Sequence, residues 1–270
     1  MEFVDTHCHI QSAGNPRGER LTREIWAKYP ALTGAGIVTA AVDSGVTRMI
    51  CVGCDLTDSQ LAVDFVLDLP QCWASIGIHP HEAQRYAHDP EKLALFSALA
   101  SSPKVVAVGE CGLDYYYEHS PKTDQIMVLR HQIELAIQYH LPLIFHVREA
   151  FDDFWPVFDS YPGLRGVLHS FTDSQANLDK ALERGLYVGI NGIATFSKNV
   201  SQLDVYRAVP LQKLLLETDA PFLTPTPYRG TINESKRVGT IAEFLASLRG
   251  EDLAVLASAT TSNARQLFDI

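Results

Sequence analysis

Eight short apolar runs, each followed by a stretch with helical spacing, set the tightest limit on what this 270-residue chain can become. The runs fall at about residues 3–9, 48–53, 72–78, 104–110, 141–147, 166–170, 186–191 and 214–219. The run Val105-Val106-Ala107-Val108 is apolar on both faces, as a strand buried within a parallel sheet must be. Parallel strands need a crossover between them, usually a helix. Helical signals fill the gaps: 33–45 closed by Gly45, a segment carrying Leu61, Phe65 and Leu69 capped by Thr57 or Asp58, and one opened by Asp89-Pro90. Further helices are expected at 123–140, Glu149–Phe158, after Asp173 or Ser174 and ending at Gly185, at 200–208, 236–249 and 252–268. The stretch 11–30, with Gly14, Pro16 and Gly18, reads as an exposed excursion. Eight such units predict one (β/α)8 TIM barrel spanning residues 1–270. A doubly wound open sheet is the competing arrangement, but no Gly-rich phosphate fingerprint follows the first strand.

The net charge of -10 argues against a broad basic face, and so against tight nonspecific binding to long duplexes. The five cysteines are odd in number, and no signal peptide is apparent; reduced thiols in a cytoplasmic protein are expected. Cys51 and Cys54 have metal-like or redox-like spacing but no second pair to join, so the spacing reads as a coincidence at a strand end. No apolar run approaches the ~20 residues that span a bilayer. A monomer that avoids membranes is the expectation.

In a barrel, chemistry collects at the C-terminal ends of the strands. Six of the ten histidines lie at or just beyond such ends: His7, His9, His79, His81, His146 and His169. Asp5, His7 and His9 alternate, so in a strand they project to one side, as two metal ligands and a carboxylate orienting them. Glu110 ends an apolar strand with no Lys or Arg nearby. A carboxylate so placed has to be paired or bound to metal, and its two oxygens suit it to bridge two cations. His146 and His169 end their own apolar strands in the same way. Asp219 ends Leu214-Leu215-Leu216-Glu217-Thr218-Asp219, where a carboxylate can hold metal and take a proton; Glu217 sits deeper, behind the ligands.

The motifs Asp-Thr-His-Cys-His, Gly-Ile-His-Pro-His, Gly-Glu-Cys-Gly-Leu-Asp-Tyr-Tyr, Phe-His-Val-Arg-Glu-Ala, His-Ser-Phe and Glu-Thr-Asp-Ala-Pro-Phe-Leu together resemble the TatD-type metal-dependent deoxyribonucleases of the amidohydrolase superfamily. The likeness runs over about residues 3–268. It implies a TIM barrel that hydrolyses phosphodiester bonds of DNA, often from the 3′ end of single strands. It implies two divalent metal ions, with His7, His9, Glu110 and Asp219 on one and Glu110, His146 and His169 on the other. Histidine-rich donors suit Zn, Mn, Co or Fe better than Mg, which is not excluded. Catalysis would rest on Glu110 and on Asp219 as proton acceptor. His79, His81 and Arg229 are candidate donors to the phosphate, and Tyr115, with Tyr116 and Tyr117, a stacking surface for a terminal base. The chain departs from the family pattern after Arg229-Gly230, where Thr231-Ile232-Asn233-Glu234-Ser235 replaces the usual Arg-Asn-Glu-Pro, which bears on the substrate more than on the metals.

Two other readings remain. A superfamily hydrolase acting on a small phosphoester, ester or amide is one, but many of these bridge their metals with a carboxylated lysine on the fourth strand, where this chain has Glu110. A metal-binding barrel without catalysis is the other, and it has no need of an acid at 219.

Overall fold

Hydrogen bonding joins the eight apolar runs, in chain order, into one parallel sheet in the computed structural model, which describes residues 1–270. The strands are β1 (Phe3–Cys8), β2 (Val46–Val52), β3 (Cys72–Ile76), β4 (Val105–Asp114), β5 (Leu143–Arg148), β6 (Gly166–Leu168), β7 (Tyr187–Ile190) and β8 (Leu214–Leu216). Ten helices surround them: α1 (Arg20–Trp26), α2 (Gly34–Asp43), α3 (Leu56–Val66), α4 (Pro90–Ala98), α5 (Lys122–Tyr139), α6 (Phe151–Asp159), α7 (Gln175–Glu183), α8 (Val200–Ala208), α9 (Val238–Arg249) and α10 (Leu253–Phe268). The expected (β/α)8 barrel is the observed one.

Side-chain alternation divides the core into two layers. Ile50, Val52, Ile144, Val167 and Leu215 pack together in one buried cluster. Their strand neighbours Met49, Cys51, Leu143, Phe145, Leu168, Leu214 and Leu216 join a larger cluster that meets the helices. Two residues beyond Ile144, Val167 and Leu215 stand His146, His169 and Glu217, so a period of two carries polar groups to the barrel mouth. The pairings of β1 with β2 and of β4 with β5 are irregular between Asp5 and Cys8 and between Val108 and Cys111. Such bulges re-aim the side chains that follow.

The seam between β1 and the chain after β8 is closed by His9 N–H on the Ala220 carbonyl (2.7 Å) and Asp219 N–H on the His7 carbonyl (2.8 Å). Buried Asp5 accepts from the Thr218 N–H at 2.8 Å and the Thr218 hydroxyl at 2.6 Å. The closure is thus made by the backbone and flanks of the very segments that carry His7, His9 and Asp219.

Three local expectations are corrected. Neither Thr57 nor Asp58 caps α3; Asp55 does, accepting from the Asp58 N–H at 2.8 Å. The excursion 11–30 is not simply exposed: Glu19 caps α1, and Trp26 is buried and donates to the His9 carbonyl at 3.0 Å. Its apolar Ile25 and Trp26 supply the burial that a count of charges concealed. Strand β4 runs on to Asp114 rather than ending at Glu110.

Gly112 tests the β4–β5 register. Its φ is +152°, and a Cβ there would sit 1.8 Å from the His146 carbonyl oxygen. Gly112→Ala is expected to cost about 3 kcal/mol and lower Tm by roughly 6–12 °C; calorimetry showing an unchanged Tm would contradict the register.

Candidate metal centre

Glu110 lies at the centre of the barrel mouth, 5% exposed. Gly77, at the end of β3, allows the close approach this requires, since a Cβ there would fall 2.3 Å from the Glu110 nitrogen. The two carboxylate oxygens face different partners. Oε2 is 3.4 Å from His7 Nε2. Oε1 is 2.8 Å from His146 Nδ1, 3.6 Å from His79 Nε2 and 3.7 Å from His169 Nε2. Burial alone would push this carboxyl up, but His79, His169, His146 and His7 together hold it well below its usual range.

His7 and His9 converge from β1, their Nε2 atoms 3.2 Å apart. His9 Nδ1 lies 2.8 Å from the Val52 carbonyl, so this nitrogen keeps its hydrogen in the neutral ring and the inward-facing Nε2 is the one that can hold a cation once its proton has left. Asp219 Oδ1 is 3.3 Å from His9 Nε2 and 3.8 Å from His7 Nε2. Its backbone is left-handed, with φ +58°, and Asn233, reaching back to the Thr218 and Phe222 carbonyls at 2.9 and 2.7 Å, holds that turn. The segment that departs from the family pattern therefore supports a site residue. The His169 ring stacks on His7 at 3.6 Å, and its Nδ1 is 3.0 Å from Glu217 Oε1, though too far out of line to make a straight hydrogen bond. Glu217, buried and fixed by the Ser170 N–H at 2.6 Å, backs the site as the sequence suggested.

The charge states follow from these neighbours. Burial pushes His7 and His79 down. It acts the same way on His9 and His146, but Asp219 and Glu110 around the first, and Asp114 and Glu110 around the second, outweigh it and raise each to about 9. His169 is raised as well, burial being outweighed by Glu217 and Glu110.

This donor set fits a divalent cation. Inward-facing imidazole nitrogens and carboxylate oxygens meet with no Lys or Arg among them. Ligand atoms of His7, His9 and Glu110, of His7, His169 and Asp219, and of His79, Glu110 and His146 each lie within 4.8 Å of one another. His7 turns Nε2 toward Glu110, Asp219 and His9, while its Nδ1 is buried without a hydrogen-bond partner.

Not every candidate lands here. His79 is drawn in beside Glu110 and His146, its ring centre 4.5 Å from that of His146. His81 lines the same cavity, but its Nε2 is 2.9 Å from Asp114 Oδ2. Tyr115 is placed elsewhere: its hydroxyl donates to Asp153 at 2.8 Å, Lys122 covers its ring, and it does not line the cavity. Arg229 donates to the Thr224 carbonyl at 2.9 Å and stacks on Phe196, and it does not line the cavity. Asp114 Oδ2 also sits 3.1 Å from His146 Nε2. The sequence reading missed Arg148, which lines the mouth. For Arg148 the signal was available, because it follows His146 by two residues on one strand. Cys54 also escaped notice as a site neighbour: its sulfur is 3.8 Å from His9 Nδ1, while Cys51 is in the core, and all five thiols are free.

A family model described as TatD related DNase matches residues 4–269. The chain belongs to the TatD family. Over 244 residues it is 35% identical to the "3'-5' ssDNA/RNA exonuclease TatD" of Salmonella typhimurium, covering 87% of this chain and 92% of the relative. It is 36% identical to the "Uncharacterized metal-dependent hydrolase YabD" of Bacillus subtilis, covering 99% of both. The crystal structure of YJJV, a TatD homolog from Escherichia coli K12, superposes with a TM-score of 0.85 at 26% identity over 99% of this chain and 98% of that one. As a TatD-family protein the chain is a metal-dependent hydrolase. No helix in it is long and apolar enough to cross a membrane.

Because His9 and His146 keep their protons to about pH 9, a cation must displace protons to bind. Apparent zinc affinity is expected to rise with pH from neutrality to about 9. Calorimetry in buffers of different ionisation enthalpy should register proton release. Affinity independent of pH over that range would contradict these charge states.

Proposed function

We propose that this TatD-family enzyme hydrolyses phosphodiester bonds at the ends of single-stranded nucleic acid, removing nucleotides from the 3′ end. One observation carries the reading: a buried carboxylate, Glu110, turns its two oxygens toward two separate sets of imidazoles. Two divalent cations would be held there, one by His7, His9, Glu110 and Asp219, the other by Glu110, His146 and His169, with His79 within reach of the second. When bound, such cations supply Lewis acidity toward a phosphoryl oxygen and make water acidic enough to ionise near neutral pH.

The chain's own residues do the rest. Asp219 Oδ1, beside the His9 and His7 nitrogens and open to the cavity, accepts a proton from the attacking water. Asp114 holds His146 by its outer nitrogen. The Glu217 carboxylate steadies His169 from behind, and the Val52 carbonyl does the same for His9. The cavity holds about 420 Å³, within the range of small-ligand sites, which suits a chain end threading inward rather than a duplex lying across the surface. The exonuclease name of the Salmonella relative supports the same substrate class, with RNA beside DNA.

Asp219→Asn is expected to keep the fold and bound metal yet lose at least about a hundredfold in kcat on an end-labelled single-stranded oligonucleotide with added manganese. Wild-type kcat in that variant would remove the proton-accepting role. Glu110→Gln is expected to bind less than half the wild-type metal by elemental analysis. Full metal content would show that Glu110 does not bridge. A wild-type enzyme that left oligonucleotides intact while cleaving a small phosphomonoester would overturn the substrate.

A further inference from the structure

Arg148 is the one Lys or Arg on the wall of the cavity. It stands two residues beyond His146 on β5, hence about 6.6 Å farther out along the same face. Its guanidinium makes no ion pair and no side-chain hydrogen bond, even though the chain carries a net charge of -10 and offers carboxylates freely. Two aromatic faces position it instead, those of Tyr116 at 4.1 Å and Tyr117 at 4.8 Å. The tyrosines are themselves placed by Asp114, whose Oδ1 accepts from the Tyr116 N–H at 3.0 Å and the Tyr117 N–H at 3.1 Å. The same Asp114 reaches His146 through Oδ2, so the loop that seats the guanidinium is tied to a residue of the candidate metal centre.

A guanidinium stacked on aromatic rings keeps its planar fork of N–H donors free, and that fork matches a phosphate or carboxylate in a bidentate way. Its position on β5 lies one two-residue strand repeat, about 6.6 Å, beyond the candidate ligand His146, a span comparable to the step from one phosphate of a nucleic acid strand to the next. We propose that Arg148 is a specificity-determining residue that binds the phosphate adjacent to the scissile one, on its 5′ side, so that the enzyme prefers a chain to a lone diester. This rests on the phosphodiesterase reading above.

The test uses the manganese-loaded full-length protein and two substrates. One is a thymidine dinucleotide joined by a single phosphodiester. The other is the same dinucleotide with an added 5′ phosphate. For the wild type, kcat/KM is expected to be about 10–100-fold higher on the phosphorylated form, the range for a charge-assisted hydrogen-bonded pair. In Arg148→Met, which keeps the packing over the tyrosines but removes charge and donors, that ratio is expected to fall close to one. Arg148→Lys, with a charge but no fork, should fall between. An unchanged ratio in Arg148→Met, including an equal loss on both substrates, would overturn the assignment, as would a wild type indifferent to the added phosphate. Hydrolysis of neither substrate by the wild type would instead bring down the phosphodiesterase reading on which the assignment stands.

Discussion

A buried carboxylate surrounded by imidazoles is the interaction on which the rest of this molecule depends. An ionised group taken out of water is costly unless positive charge compensates it closely. Glu110 has no lysine or arginine near it; its compensation comes from the raised imidazoles of His146 and His169, with His7 and His79 packed beside them, each of the four delivered by a different strand end. Those four side chains meet at one carboxylate only if β1, β3, β5 and β6 hold their positions around the barrel. The geometry of the site and the register of the sheet are therefore one constraint seen from two sides.

That coupling is visible in the backbone. The barrel seam is drawn shut by the His7 carbonyl and the Asp219 N–H, so two neighbouring residues of the site also fasten the first strand to the chain after the last. Behind them Asp5, Thr218 and Asn233 form a buried hydrogen-bonded brace. Close approaches at Gly77 and Gly112 bring β3 and β5 against β4, where a side chain would force the strands apart. A polar site at the open end of an apolar barrel is thereby tied to the core beneath it, the kind of support that sets ligands to within about 0.5 Å.

Much of this was legible before any coordinates. The period-two placement of His146 after Ile144 and of His169 after Val167 gives their direction directly. Glu110 stood out because an acid closing an apolar strand needs a partner. What the sequence concealed has physical reasons. Irregular pairing in β1 and β4 shifts the alternation, so inward and outward cannot be counted through Asp5–Cys8 or Val108–Cys111. Loop side chains have no period at all: Tyr115 turns to Asp153 and Arg229 to Phe196, although both lie in motifs that border the site. Trp26 hid in a charged stretch, and only tertiary packing reveals that its segment helps wall the cavity.

The central claim is that Glu110 lies between two cations, each completed by histidines from distant strands. Anomalous diffraction from crystals grown with manganese tests it most directly. The account predicts two peaks flanking the Glu110 carboxylate, one against His7, His9 and Asp219, the other against His146 and His169. A single peak remote from Glu110, or well-ordered imidazoles with no peak among them, would contradict it.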